Sequence, residues 1–292
     1  MLAEGVGMLD AVRIRDLHCA GFDVRLQFNP KRIVSSGAKV DAASIKVRKC
    51  FLCVEHLPEA QQGILYRENF LILCNPMPIF RQHFTISHVR HIPQAVEEFI
   101  LEFLSFGKDL SPHFTVFYNG PKCGASAPDH MHFQASPAGT IPVEIDARNP
   151  ERRVLRKKLA GVDIYLLKQY GREVIVLEGK IEQEMEQVFL RITTAMRKVM
   201  NTLEEPLMNV LCSYAEGSWR IIVFPRTKHR PDVYFREGDD KILVSPAAVD
   251  IGGLVITPVE KDFVSVSEKL MEQIFREVSV APETLDAIID KM

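Results

Sequence analysis

The chain has 292 residues, 47% of them hydrophobic and 25% charged, with a net charge of −2. That length can bury a large core, as one big domain or two closely packed halves. The balanced charge gives no global basis for binding nucleic acid or membrane, and no run of about 18 apolar residues predicts a transmembrane helix.

The stretch from Met1 to Asp10 has neither the basic start nor the long apolar segment of a signal peptide, so a cytoplasmic location is expected. Of the six cysteines only Cys50 and Cys53 are closely spaced, which is not a disulfide framework; Cys19, Cys74 and Cys212 lie in apolar contexts and read as small core residues. Residues 1–49 form a lead-in, with a turn at Asn29-Pro30 and a basic Ser/Gly-containing stretch from Lys31 to Lys39. Residues 64–66 and 70–74 then read as short strands around a polar turn, and 84–87 as a third. A helix is predicted over 94–110, opened by Pro93, because Val96, Phe99, Ile100, Phe103 and Leu104 recur at helical spacing. A strand over 113–118, a loop over 119–129 and a strand over 130–135 complete this block.

After a Pro/Arg-rich connector over 137–158, residues 162–169 and 173–177 read as a hairpin across Tyr170-Gly171-Arg172. The basic run of Arg152, Arg153, Arg156, Lys157 and Lys158 reads as an exposed helix face. The strongest helix spans 180–203, with Ile181, Met185, Val188, Ile192, Met196 and Val199 on one stripe. Strands at 208–214 and 218–224 follow, then a helix over 264–278 and a short one opened by Pro282. Trp219 reads as core or pocket wall. Both blocks run strands, helix, strand, loop, strand. Setting Ala135-Ser136-Pro137 against Val223-Phe224-Pro225 places His130 on Ser218, His132 on Arg220 and Gln134 on Ile222. The pattern predicts a degenerate duplication with one active site per chain.

The chemistry concentrates in Gly124-Ala-Ser126-Ala-Pro-Asp129-His130-Met-His132-Phe-Gln134. In an extended segment His130, His132 and Gln134 share one face, while Met131 and Phe133 point the other way. A neutral imidazole is a competent nucleophile near neutral pH. Attack on phosphorus needs one ring nitrogen free, the other held as a donor, and further donors for the phosphoryl oxygens. The loop offers Asn119, Lys122, Ser126 and the backbone N–H groups around Gly124. Gln134 donates an amide without offering a base to water.

These residues resemble the active site of the histidine-triad superfamily, in particular its transferase branch, whose motif ends His-x-Gln. Galactose-1-phosphate uridylyltransferase, diadenosine tetraphosphate phosphorylase and the GDP-hexose phosphorylases belong to that branch. Phe117-Tyr-Asn119 and Asn69-Phe-Leu-Ile-Leu-Cys-Asn75-Pro extend the resemblance. It implies an α+β fold of two histidine-triad-like halves, with mainly antiparallel sheets and flanking helices and a degenerate second half. The corresponding division is 1–49 lead-in, 50–150 catalytic half and 151–292 second half. It implies His132 as nucleophile, with Gln134, Ser126 and Asn119 on phosphate. Asn75, on the stretch that resembles the strand leading to the nucleoside pocket, is a candidate for a ribose or base edge, against the alternative of a common Asn-Pro turn.

The implied reaction transfers a nucleoside monophosphate from a nucleoside polyphosphate or nucleotide sugar to phosphate or a sugar phosphate, through a nucleotidyl-histidine. The resemblance leans to a phosphorylase or adenylyltransferase-like enzyme. Alternatives are a histidine-triad hydrolase and a non-catalytic nucleotide-binding protein; Asp129, standing where many of these transferases have Pro or Asn, keeps the last one open. Some uridylyltransferases carry a Cys-x-x-Cys completed by two histidines, which implies a structural Zn²⁺ held by Cys50, Cys53, His88 and His130. The spacing to Pro93 favours His88 over His91 or His83; His56 is a rival, and a pair of free thiols is the alternative. Arg226 and Lys228, in a basic cluster after the last strand of the second block, are candidates for a phosphate partner, against the alternative of a solvated turn.

Overall fold

The computed structural model describes residues 7–37 and 40–292. Residues 1–6 of the segment read for a leader, and Ala38 and Lys39 of the basic stretch, lie outside the described residues. The lead-in is more structured than its sequence reading: Arg13–Cys19 (β1) and Phe22–Phe28 (β2) form an antiparallel hairpin across Ala20-Gly21. Its signal was present in the alternation of Phe22, Val24 and Leu26, all buried.

The first half supplies Gly63–Tyr66 (β3), Phe70–Cys74 (β4), Phe84–His88 (β5), Phe114–Asn119 (β6) and His132–Pro137 (β7). Between β5 and β6 lies the helix Ile100–Asp109 (α1), entered through a 3₁₀ turn at Val96–Phe99. The predicted start at Gln94 is two residues early, because the Gln94 side chain is engaged with β7 (below). The second half repeats the plan with Arg153–Leu159 (β8), Val162–Leu167 (β9), Ile175–Gly179 (β10), Met208–Ala215 (β11) and Ser218–Pro225 (β12). Its helix, Glu182–Met200 (α2), buries Met185, Val188, Ile192 and Met196 as the stripe predicts. From Arg153 onward the basic run is a strand and not a helix face, with Arg152 closing the 3₁₀ turn before it. β8 is the outermost strand, and Lys and Arg side chains are a usual device for keeping such an edge in solvent.

All ten strands form one sheet in the order β3-β4-β5-β7-β6-β11-β12-β10-β9-β8. The two five-strand halves therefore have the same internal order and meet where β6 pairs antiparallel with β11. Register fixes the correspondence residue by residue. His132 faces Ser87 and Gln134 faces Thr85, while in the second half Arg220 faces Glu178 and Ile222 faces Val176. The duplication read from the sequence is thus present in the fold, with Arg220 in the place of His132. There Arg220 and Arg153 each donate to Glu178 at 2.7 Å, and this ion cluster fills the position that the imidazole holds in the first half.

One face of the sheet is packed by α1, α2 and the C-terminal helix Pro282–Asp290 (α3), around Phe103, Phe133, Val188, Ile192 and Ile288. The other face is covered by β1, β2 and Leu254–Thr257 (β13), which pairs parallel with β2. Burial of Val24, Leu26, Ile256 and Ile222 joins that small sheet to the large one. No helix among the described residues is long and apolar enough to cross a membrane.

Candidate active site

Strand alternation sends Met131 and Phe133 into the helix-packed core and turns His132 and Gln134 to the opposite face. There they line a pocket of about 600 Å³, within the range of small-molecule sites. Asn75, Asn119, Gly124 and Ser126 line it too. His130 does not. The strand begins at His132, and a turn that donates His130 N–H to Ala127 O swings the first histidine away from the face shared by the other two. The expected common face therefore holds for His132 and Gln134 only.

Each pocket side chain is held by identifiable bonds. His132 is 4% exposed, and its Nδ1–H donates to the His130 carbonyl at 2.8 Å, which leaves the Nε2 lone pair as the free end of the ring. Burial pushes its pKa down to about 4, so the imidazole is neutral at physiological pH. Gln94 clamps the backbone of the same residue: its Oε1 accepts from His132 N–H at 2.8 Å, and its Nε2 donates to His132 O at 3.3 Å and Asn119 O at 3.1 Å. Asn119 Oδ1 accepts from Asn209 Nδ2 at 3.0 Å and from Ala248 N–H at 2.7 Å, so its remaining capacity is that of a donor. Gly124 has φ +95°, and a Cβ there would stand 2.5 Å from Ala247 Cβ; only glycine fits this bend of the loop.

Several expected substrate contacts are outside the pocket or already engaged. Arg226 is fully buried, and its guanidinium donates to the Val278, Pro246, Lys228 and His229 carbonyls and to Asn209 Oδ1. It orders the chain and has no donor to spare. Lys228 bridges Asp232 and Glu277, and Lys122 pairs with Glu204 outside the pocket. Asn75 lines the pocket but closes a turn, with Oδ1 accepting from Met77 N–H at 2.9 Å and Nδ2 donating to Thr85 Oγ1 at 3.0 Å. The basic wall is instead Arg32, Arg48 and Arg230. Among the described residues, Arg32 Nε and one Nη of Arg48 are buried without a hydrogen-bond partner. Arg230 belongs to the basic cluster after the last strand that the sequence marked for a phosphate partner, and it is the member of that cluster's arginines that lines the pocket. Sequence reading missed Arg32 and Arg48 as pocket wall, together with Gln94 and Asn209; none of these four sits in a motif read for chemistry.

The second cluster is built from Cys50, Cys53, His91 and His130. His130 Nε2–H donates to His88 O at 2.8 Å, leaving Nδ1 directed at Cys50 Sγ, 3.3 Å away, and Cys53 Sγ, 3.6 Å away. His91 Nδ1 lies 3.2 Å from Cys53 Sγ, and its Nε2 is 3.5 Å from Asp129. Sulfur and nitrogen ligands of a tetrahedral ion stand about 3.6 Å apart, so this donor set could hold a metal ion. His88 is not part of it. Alternation along β5 places His88 with Ile86 on the helix-packed side, against Phe70 and Phe99, and its Nδ1 accepts from Arg90 N–H at 3.0 Å. His91, past the end of the strand, is free of that constraint. His56, the rival, donates its Nδ1–H to Cys50 O at 2.9 Å and faces the pocket.

Comparison with known proteins places the chain further. A domain of unknown function (DUF4922) matches residues 2–137. Among curated proteins none matches. The crystal structure of yeast Ap4A phosphorylase Apa2 is similar over 95% of this chain and 92% of its own, with 16% identity and a TM-score of 0.57. The same enzyme in complex with Ap4A covers 95% of both chains, with 13% identity and a TM-score of 0.62. That likeness is one of fold, and it agrees with the two-half architecture derived above. The model of the GDPGP1-like C-terminal domain matches residues 145–291, half of the chain, and the chain belongs to this GDPGP1-like family, within the transferase branch that its His-x-Gln motif resembles.

Proposed function

We propose that the chain is a nucleotidyltransferase of the phosphorylase type, acting through His132. Its Nε2 attacks the α-phosphorus of a nucleoside polyphosphate or nucleotide sugar, the bond to the leaving phosphate or sugar phosphate breaks, and a nucleotidyl-histidine forms. Inorganic phosphate or a sugar phosphate then attacks the same phosphorus and frees the imidazole. The observation that carries this reading is the held tautomer of His132, whose Nδ1–H is committed to the His130 carbonyl at 2.8 Å in a pocket of about 600 Å³. A nucleophilic imidazole needs that arrangement, with one nitrogen held and the other free.

The surroundings support transfer over hydrolysis. Asn119 and Ser126 offer donors, Arg32 offers positive charge with a buried, unpartnered Nε, Arg48 keeps one buried Nη unpartnered while its other Nη pairs with Asp129, and Gln134 offers no base to activate water. The likeness to an Ap4A phosphorylase, whose structure is known with Ap4A, and membership of the GDPGP1-like family point the same way. Zinc fits the Cys50, Cys53, His91 and His130 donors; when bound, it would tie the lead-in to the segment that enters β7. Its role is structural, since the four ligands leave no open position.

The test is trapping. Incubation with α-labelled nucleoside polyphosphates should leave label on the wild-type protein and none on His132→Ala, and added phosphate should discharge it. Equal labelling of both proteins, or turnover indifferent to phosphate, would overturn the reading; the second outcome would favour a hydrolase.

A further inference from the structure

His83 has no part in the chemistry described so far, and in the sequence it stands only as a rejected metal ligand. It is 3% exposed, immediately before β5, with its ring set edge-on against Phe80 at 5.7 Å and tilted against Phe117 at 6.0 Å. The Ile79 backbone N–H donates to its Nδ1 at 3.0 Å. A ring nitrogen that accepts an N–H carries no proton, so the neutral ring must hold its hydrogen on Nε2. That Nε2–H points at the Gln134 side chain, 2.9 Å away.

A donor there admits one orientation of the Gln134 amide. Its oxygen must face His83, because its NH₂ group would meet another N–H with nothing to accept. The NH₂ is therefore turned to the remainder of the pocket, where His132 stands two residues away on the same strand face. Burial and the nearby Arg32 guanidinium push the His83 pKa down to about 3, so the ring stays neutral and the arrangement holds across the physiological range.

We propose that His83 is a positioning residue for nucleotidyl transfer: it fixes the Gln134 amide so that its NH₂ donates to the phosphoryl oxygens as negative charge builds on them. The proposal rests on the transfer reaction proposed above. It also assigns the pocket's second amide the same sense as the first, since Asn119 is likewise held through its oxygen.

Two substitutions separate this role from simple packing. In His83→Gln the side-chain NH₂ takes the place of Nε2–H and can still donate to Gln134. In His83→Asn the shorter side chain can still accept from Ile79 but does not reach Gln134. Single-turnover labelling of the protein by nucleotide should stay within about fivefold of wild type for His83→Gln and fall roughly 100-fold for His83→Asn, the usual cost of losing one preorganised donor. Nucleotide Kd should change by less than about threefold in both, because the donor acts on charge that develops in the transition state. A packing role would rank Asn at or above Gln, since the turn at Ile79 is what Asn preserves; that ranking, or equal rates, would overturn the proposal.

An independent readout needs no activity. In a ¹⁵N-histidine correlation spectrum of the ligand-free protein at pH 7, the signal lost in His83→Gln should be that of a neutral Nε2–H imidazole. An Nδ1–H or charged ring overturns the assignment. If wild-type protein takes no label from any nucleotide while His83 shows the Nε2–H form, the transfer reaction fails and the orientation of Gln134 stands.

Discussion

The side-chain amide of Gln94 spans both backbone polar groups of His132, accepting from its N–H at 2.8 Å and donating to its carbonyl at 3.3 Å. A side chain here does the work of a neighbouring strand, at the residue where β7 begins. Gln94→Leu fills similar space but orphans the His132 N–H and two carbonyls, at about 1–3 kcal/mol for each group left unsatisfied. The expected result is a lower urea midpoint and a fall in kcat of at least about tenfold, since the backbone of the proposed nucleophile is no longer held. An unchanged midpoint and rate would show that the clamp is dispensable.

The local parts of the site were legible because alternation is local. Met131 and Phe133 fall into the core, and His132 and Gln134 into the pocket, as a period of two requires. His130 departed because the periodic argument assumes a strand, and the strand starts two residues later than its sequence suggests. The same limit misplaced His88: its spacing to Pro93 suited a ligand, but its place in β5 committed it to the other face. The two-half fold was readable from the repeated order of elements. The lead-in hairpin carried its signal in the alternation of Phe22, Val24 and Leu26 but was passed over, and the edge strand β8 was misread because a run of basic residues suits an exposed edge and an exposed helix face equally well. Asn209, and the structural role of Arg226, were beyond local reading altogether. Asn209 meets Asn119 across 90 positions of sequence, and only the β6–β11 pairing brings them together.

That pairing carries a second prediction. Arg226 donates to Asn209 Oδ1, Asn209 Nδ2 donates to Asn119 Oδ1, and Asn119 is left to present its NH₂. Asn209→Asp keeps size and keeps the bond from Arg226, yet replaces the donor facing Asn119 with an acceptor. The Asn119 amide should then turn, giving up a hydrogen bond to bound nucleotide, and Kd should rise by about tenfold, the equivalent of about 1.4 kcal/mol. Calorimetric titration with a non-hydrolysable nucleoside polyphosphate would read this, and an unchanged Kd would exclude Asn119 from binding.

The buried histidines set the acid side of the pH profile. Burial holds His132 at about 4, and His83 and His229 at about 3, all below the ordinary value of 6.5. Between those limits the unfolded chain binds more protons than the folded one, so stability rises with pH through this window and is lost as pH falls from 6.5 towards 4. The rate of nucleotidyl-enzyme formation should be flat from about pH 6 to 8, because His132 is already deprotonated there. A rate that climbs with a midpoint near 6.5 would mean that the imidazole is not buried as described.

Glu205 acts in the opposite direction. Burial pushes its carboxyl up to about 7 from 4.5, even though the Tyr118 hydroxyl and the Val96 N–H both donate to it. Here the folded chain holds the extra proton, so this contribution to stability falls as pH rises from 4.5 through 7. Glu205→Gln, neutral at every pH, should raise the melting temperature at pH 8 relative to wild type and leave it nearly level at pH 5. A loss of stability at pH 8 would show that the carboxylate is the form that the Tyr118 and Val96 donors prefer.

Ligand identity at the metal cluster gives the sharpest contrast between sequence and structure. Cys50, Cys53, His91 and His130 present their donor atoms within 4.8 Å of one another, and Asp129 stands 3.5 Å from the outer nitrogen of His91, as a carboxylate that orients a metal-bound imidazole does. The His88 ring accepts an N–H from Arg90 and packs between Phe70 and Phe99. Purified wild-type protein should therefore carry about one zinc per chain, the complement of one Cys₂His₂ site. His88→Ala should keep that stoichiometry while melting lower through lost packing, whereas His91→Ala should lose zinc on dialysis against a chelator. Metal analysis separates the two effects, because stability falls in both variants and zinc content in only one. Zinc lost from His88→Ala and kept in His91→Ala would restore the ligand set that the spacing to Pro93 favours.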